Sequence, residues 1–191
     1  MLHVVEMSQI EVLRVADIHA IQSLRPRGGL GGGLVDQDAI IQYVTDTFTG
    51  VEVVRPTDGP GAGDTFFFYD PQRNLDPQRR LPFATIVTKD YSDFDNASQL
   101  NRPHVFRLNI GVSRDTFRAL FGPAPGAQGD QSPTYDYAAL DRLLPHPVYA
   151  PQAWVCVLNP SPDTFEAVKP LLAEAYARVA ARHARRQATP D

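Results

Sequence analysis

Residues 51–89 read VEVVRPTDGPGAGDTFFFYDPQRNLDPQRRLPFATIVTK. Three runs within it, VEVV at 51–54, TFFFYD at 65–70 and FATIVTK at 83–89, are rich in β-branched and aromatic residues. Such side chains suit the pleated, half-buried surface of a sheet, and the glycines and prolines between the runs mark turns. The pattern predicts an antiparallel meander. The connection DPQRNLDPQRRL, from Asp70 to Leu81, carries two Asp-Pro turn signals and reads as an exposed hairpin loop.

Upstream, DQDAIIQYVTDTF places Ile40, Ile41, Val44 and Phe48 at helical spacing, with Asp36 as an acidic cap and Gly50 as the stop. Downstream, HVFRLNIGV alternates Val105, Arg107 and Asn109 against Phe106, Leu108 and Ile110, which predicts a fourth strand with one polar face. Ser113 caps a short helix, SRDTFRALFG, and GPAPGAQGDQSPT reads as a mobile surface loop. YDYAALDRLLP is expected to form another short helix ended by Pro145, and AWVCVL a further strand. A long amphipathic helix closes the chain, and Pro170 is expected to break or kink it near its start, because proline removes a helical hydrogen bond.

The fold class that follows is α+β: an antiparallel sheet of about five strands, with the N- and C-terminal helices packed on one face. The other face is then the working surface. LRPRGGLGGGL, at 24–34, has the composition of a flexible linker, so residues 1–35 are read as an extension, 36–186 as a single domain and 187–191 as a frayed tail. The same glycines lack the preceding strand and the Gly-Lys-Ser/Thr ending of a phosphate loop.

The 191 residues suit one domain, and 43% hydrophobic content with 10 Phe and 7 Tyr is that of a folded chain. A net charge of -4 argues against the broad basic footprint of nucleic-acid binding. Cys156 has no second cysteine to pair with, and no Cys/His cluster accompanies it, so neither a disulfide framework nor a metal site is expected. The N-terminal stretch lacks the continuous apolar run of a signal peptide, and no segment has the length of a membrane span; a cytoplasmic protein with no membrane partner and no cofactor is the expectation.

Two segments carry the candidate site residues. In LPHPVYAPQAW, prolines stiffen a loop that presents His146, Tyr149 and Trp154. Imidazole titrates near neutral pH, and Tyr and Trp offer flat faces with polar tips, so the segment suits a pocket wall. The plainer alternative makes Trp154 a core residue, Tyr149 a tether and His146 a cap on the last carbonyls of the preceding helix. The second segment is the polar strand face, where His104, Arg107 and Asn109, joined by Lys89, would hold a carboxylate or phosphate through the guanidinium fork. Its plainer alternative is the solvated side of a half-exposed sheet. Cys156 lies between valines in an apolar strand and is expected to be inert.

The strings DTFFFYDP, LPFATIVTKD, RPHVFRLNIGVS, TFRALFG, LDRLLPHPVYAPQAWVCVLNPS and TFEAVKPLLAEAY together resemble a bacterial domain-of-unknown-function family, number 6194. The resemblance runs from Asp36 to Arg182 and brings no activity with it. A more distant likeness, through Tyr149, Trp154 and Tyr176, is to YjbR/MmcQ-like proteins. It implies a YjbR/CyaY-like fold and, through that group's double-wing arrangement, DNA binding. Ala153 and Ala175 depart from that group's pattern, which carries a basic residue or histidine and a serine there.

Three functions are thus carried forward. The first is a small-ligand domain taking an anionic ligand on the His104/Arg107 strand face and the His146–Trp154 loop. The second is a nucleic-acid-binding accessory protein, which needs Lys89, Arg102, Arg107 and Arg114 in one basic stripe. The third is an enzyme with His146 as general base.

Overall fold

The computed structural model of the chain describes residues 35–76, 80–122 and 134–188. The expected extension through residue 34, the 123–133 part of the expected surface loop and residues 189–191 of the tail lie outside the described residues.

Helix α1, Gln37–Thr47, begins where the Asp36 carboxylate accepts the Ala39 N–H at 2.8 Å, and it buries Ile40 and Val44. Gly50, at φ +69°, turns the chain into β1, Val51–Val54. Strands β2 (Thr65–Tyr69), β3 (Ala84–Val87) and β4 (Arg107–Gly111) follow, each antiparallel to the one before. Ser113 caps α2, Arg114–Phe121, by accepting the Thr116 N–H. Then come β5 (Leu143–Pro145), a short 3-10 turn at Ala150–Gln152, β6 (Trp154–Leu158) and α3, Pro162–Gln187. The sheet order is β1-β2-β3-β4-β6-β5.

Alternation along each strand sorts the side chains into two faces. Phe67, Ile86, Leu108, Ile110, Val155 and Val157 pack with Ile40 and Val44 of α1, Phe117 and Leu120 of α2, and Val168, Leu171 and Leu172 of α3. The first and last helices therefore share one face of an α+β fold. Phe66, Thr85, Arg107, Asn109 and Trp154 lie on the other.

Two expectations are corrected. Residues 135–145 form no helix; Leu143–Pro145 instead become the sixth strand, pairing with β6. An isolated helix of that length is marginal, whereas here the backbone is drawn into the sheet: Asp141 N–H donates to Leu158 at 2.7 Å and His146 N–H to Trp154 at 2.9 Å. Pro145 is tolerated because β5 is an edge strand. The second correction concerns Pro170, which lies inside α3 rather than at its start. Ser161 caps the helix three residues after β6 ends at Leu158, accepting the Thr164 N–H, and Phe165 and Val168 bury on the same side as Leu171 and Leu172. Burial on both sides of the proline offsets the one hydrogen bond it forfeits.

Candidate functional site

The sheet face turned away from α1 carries a cavity of about 660 Å³. Register explains its floor: Thr85 lies opposite Asn109, Val87 opposite Arg107, and Gly111 opposite Trp154, all pointing the same way. A Cβ on Gly111 would stand 3.2 Å from the Trp154 indole, so glycine lets the ring pack closely over the strand. Phe66 and Phe83, Tyr91 and Phe94, and Tyr149 and Trp154 supply aromatic walls, and Arg178 and Arg182 of α3 line one side.

Beneath the cavity lies a polar cluster built around Arg107, which is 0% exposed. Its Nε donates to Asn109 Oδ1 at 2.8 Å, its Nη1 to Asp95 Oδ1 at 2.9 Å and to Ser98 Oγ at 2.8 Å, and its Nη2 to Asp95 Oδ2. The guanidinium fork on a carboxylate is the pairing that a buried arginine demands. Asn109 in turn donates to Thr85 Oγ1 at 2.9 Å, which leaves the Thr85 hydrogen for another acceptor. Nearby, Asp64 is also fully buried and accepts from Thr88 and from the Tyr91 hydroxyl; burial first, and then this hydrogen bond to Asp64, push the Tyr91 phenol upward.

His146 completes the cluster. Its Nδ1 accepts the backbone N–H groups of Val148 and Tyr149, each at 3.1 Å. A nitrogen that accepts carries no proton, so the neutral ring holds its hydrogen on Nε2. Nε2 lies 3.2 Å from Arg107 Nη2 and 3.9 Å from Asp95 Oδ2. A guanidinium has only donors, and 3.9 Å is too long for a hydrogen bond. Two buried donors thus face one another beside the cavity. Burial, and then the adjacent Arg107 charge, push the imidazolium down to about 3 against a weaker upward pull from Asp95, so the ring is neutral at physiological pH.

Arg107, Asn109, His146, Tyr149 and Trp154 are brought together around this cavity. Lys89 and His104 are not. Lys89 Nζ donates to the Ala62 carbonyl at 2.9 Å, and His104 sits exposed at φ +60° with its carbonyl accepting from Asn159. The β4 face is not a solvated sheet side, since Arg107 and Asn109 are both buried. His146 does not cap a preceding helix; its ring caps the turn that follows it. Nor do Lys89, Arg102, Arg107 and Arg114 make one basic stripe: Arg107 is buried and ion-paired, and Arg102 spends its guanidinium on the carbonyls of Gln99, Ser98 and Ala138.

Sequence reading missed Asp95, Ser98, Thr85, Phe94, Arg178 and Arg182. Asp95 and Ser98 lay in a polar run that reads as a connection; the one available signal was that an arginine among core residues needs a carboxylate. Cys156 is buried on the cavity side of β6, where loss of solvent pushes its thiol up to about 12. Among the described residues no group of three or more His, Cys, Asp or Glu is placed to hold a metal ion.

A family model matches residues 35–188, a span that takes in all of the described residues. The chain belongs to the family of unknown function DUF6194. This DUF6194 chain matches no curated protein and no solved structure. Of the three positions behind the YjbR/MmcQ likeness, Tyr149 and Trp154 stand on the cavity side of the DUF6194 sheet, whereas Tyr176 stacks on Phe48 at 4.7 Å in the helical layer.

Proposed function

We propose that the chain is a small-molecule-binding domain whose ligand has a flat apolar body and presents an oxygen acceptor, carboxylate or carbonyl, to the cavity floor. The observation that carries this reading is the pair of facing donors, Arg107 Nη2 and His146 Nε2. Nη2 already gives one hydrogen to Asp95, whereas the His146 Nε2–H has no acceptor within hydrogen-bond distance; a buried donor in that state is costly, and one ligand oxygen placed between the two serves it and the second Nη2 hydrogen. The cavity's size falls within the range of small-molecule sites, and aromatic walls around a few convergent polar groups are their usual lining. Because Asp95 already neutralises Arg107, the floor recognises an acceptor through hydrogen bonds rather than through net charge.

The same geometry weighs against His146 as a general base, since a group titrating at about 3 is a poor proton acceptor at neutral pH. Among the described residues no helix is long and apolar enough to cross a membrane.

A thermal-shift screen of aromatic carboxylates tests the reading. A ligand at a hundred times its Kd adds about 2.7 kcal/mol, or roughly 5–10 °C in a domain of this size. Phe94→Ala, at a residue 57% exposed on the cavity wall, is expected to reduce that shift. Shifts indifferent to Phe94→Ala, or none with any aromatic carboxylate, would sink the reading.

A further inference from the structure

We infer that the cavity has a second anchor at Arg178 and Arg182, and that its ligand carries a phosphate or second carboxylate at the end away from His146. This inference rests on the pocket reading above and adds the ligand's second charge.

Three observations support it. First, Arg178 is already oriented: its Nη1 donates to the Gly111 carbonyl at 3.0 Å and to the Val112 carbonyl, which pins the guanidinium against the end of β4 and leaves Nη2 and Nε for other acceptors. Second, Arg182 is one helical turn further along α3, lines the same cavity and is exposed, with no carboxylate bonded to it among the described residues. Residues four apart on a helix are neighbours, so the two guanidiniums converge. Third, charge is not balanced there. Asp95 is spent on Arg107, and Asp64 on Thr88 and Tyr91, while Glu174 gives one oxygen to the Ser113 N–H and offsets only part of the paired charge.

The strand repeat sets a length scale for a probe. Arg107 Nε reaches Asn109, and Arg178 is pinned at Gly111. These are successive same-face positions of β4, a repeat of about 7 Å. A single aromatic ring with para substituents spans that distance, and the Trp154 indole packed over Gly111 offers it a face. Carboxylates and phosphates are the groups that guanidinium forks bind in two-point fashion.

The test compares two probes by isothermal titration, para-(phosphonomethyl)benzoate and para-methylbenzoate, against the wild-type chain and Arg182→Gln. The phosphonate is expected to bind at least about tenfold more tightly, the worth of one charge-assisted contact. Arg182→Gln should remove most of that advantage while leaving para-methylbenzoate unchanged. Equal affinities for the two probes, or an advantage that survives in both Arg182→Gln and Arg178→Gln, would overturn the second anchor and leave the pocket reading standing. Binding of neither probe would remove the pocket reading and this inference together.

Discussion

Asp95 meets Arg107 from a loop rather than from a neighbouring strand, with Oδ1 2.9 Å from Nη1 of an arginine that is 0% exposed. The carboxylate belongs to a short loop closed by a bridge between Tyr91 and Asp95, so a surface turn supplies the counter-charge for the centre of the sheet. Removing one partner of such a pair leaves a buried charge uncompensated, at a cost of about 3–5 kcal/mol. Asp95→Ala and Arg107→Met should each lose about that much in urea denaturation. The double variant should lose clearly less than the two losses added, since no orphaned charge remains. Strict additivity would mean that the pair is not coupled.

His146 makes stability depend on pH in a defined direction. The unfolded ring titrates near 6.5 and the folded one at about 3, so protons bind the unfolded state first as pH falls. The contribution is fully present above about pH 6.5 and is lost toward pH 3, at up to about 1.4 kcal/mol per pH unit. His146→Gln cannot titrate, and its stability profile should be flatter than wild type across that window. Superimposable slopes from denaturation at a series of pH values would show that the ring is not held neutral.

Cys156 should resist thiol reagents in the native state. It is 1% exposed, its sulfur points at the Pro145 carbonyl at 3.7 Å, and burial pushes the thiol up to about 12, so almost no thiolate forms at neutral pH. Reaction with an aromatic disulfide reagent should follow global unfolding and appear promptly only in denaturant. Prompt labelling without denaturant would place the sulfur elsewhere.

Gly50 and Gly59 both have positive φ, +69° and +71°, but differ in surroundings. A Cβ on Gly50 would stand 2.9 Å from Pro71 Cβ, whereas one on Gly59 would meet nothing within 4 Å. Gly59→Ala should cost about 1 kcal/mol for backbone strain alone, and Gly50→Ala about 1–2 kcal/mol more because Pro71 must move. Equal losses in thermal denaturation would contradict the crowding at the α1–β1 turn.

The meander was legible because Val51–Val54, Thr65–Tyr69 and Ala84–Val87 carry their strand character in adjacent residues. The sixth strand was not, because LLP takes its conformation from pairing with β6, a partner ten or more positions away. Alternation along β4 placed Arg107 and Asn109 on one face, but nothing local says whether such a face is wet or buried. That depends on Asp95 folding over it. The rings at 146, 149 and 154 could be seen as a cluster because they are close in sequence, while nothing local brings Arg178 and Arg182 to the same cavity; that takes α3 laid beside Gly111.

The cavity floor and the structural keystone are one set of atoms. Thr85, Asn109, Arg107 and Asp95 are linked in one continuous line of hydrogen bonds, so exchanging any of them also loosens the sheet. Leu81, Phe94 and Arg182 stand at the edge of the same cavity and are exposed. A change in what the cavity accepts is therefore cheaper at this rim than at the floor, where each exchange is also a loss of stability.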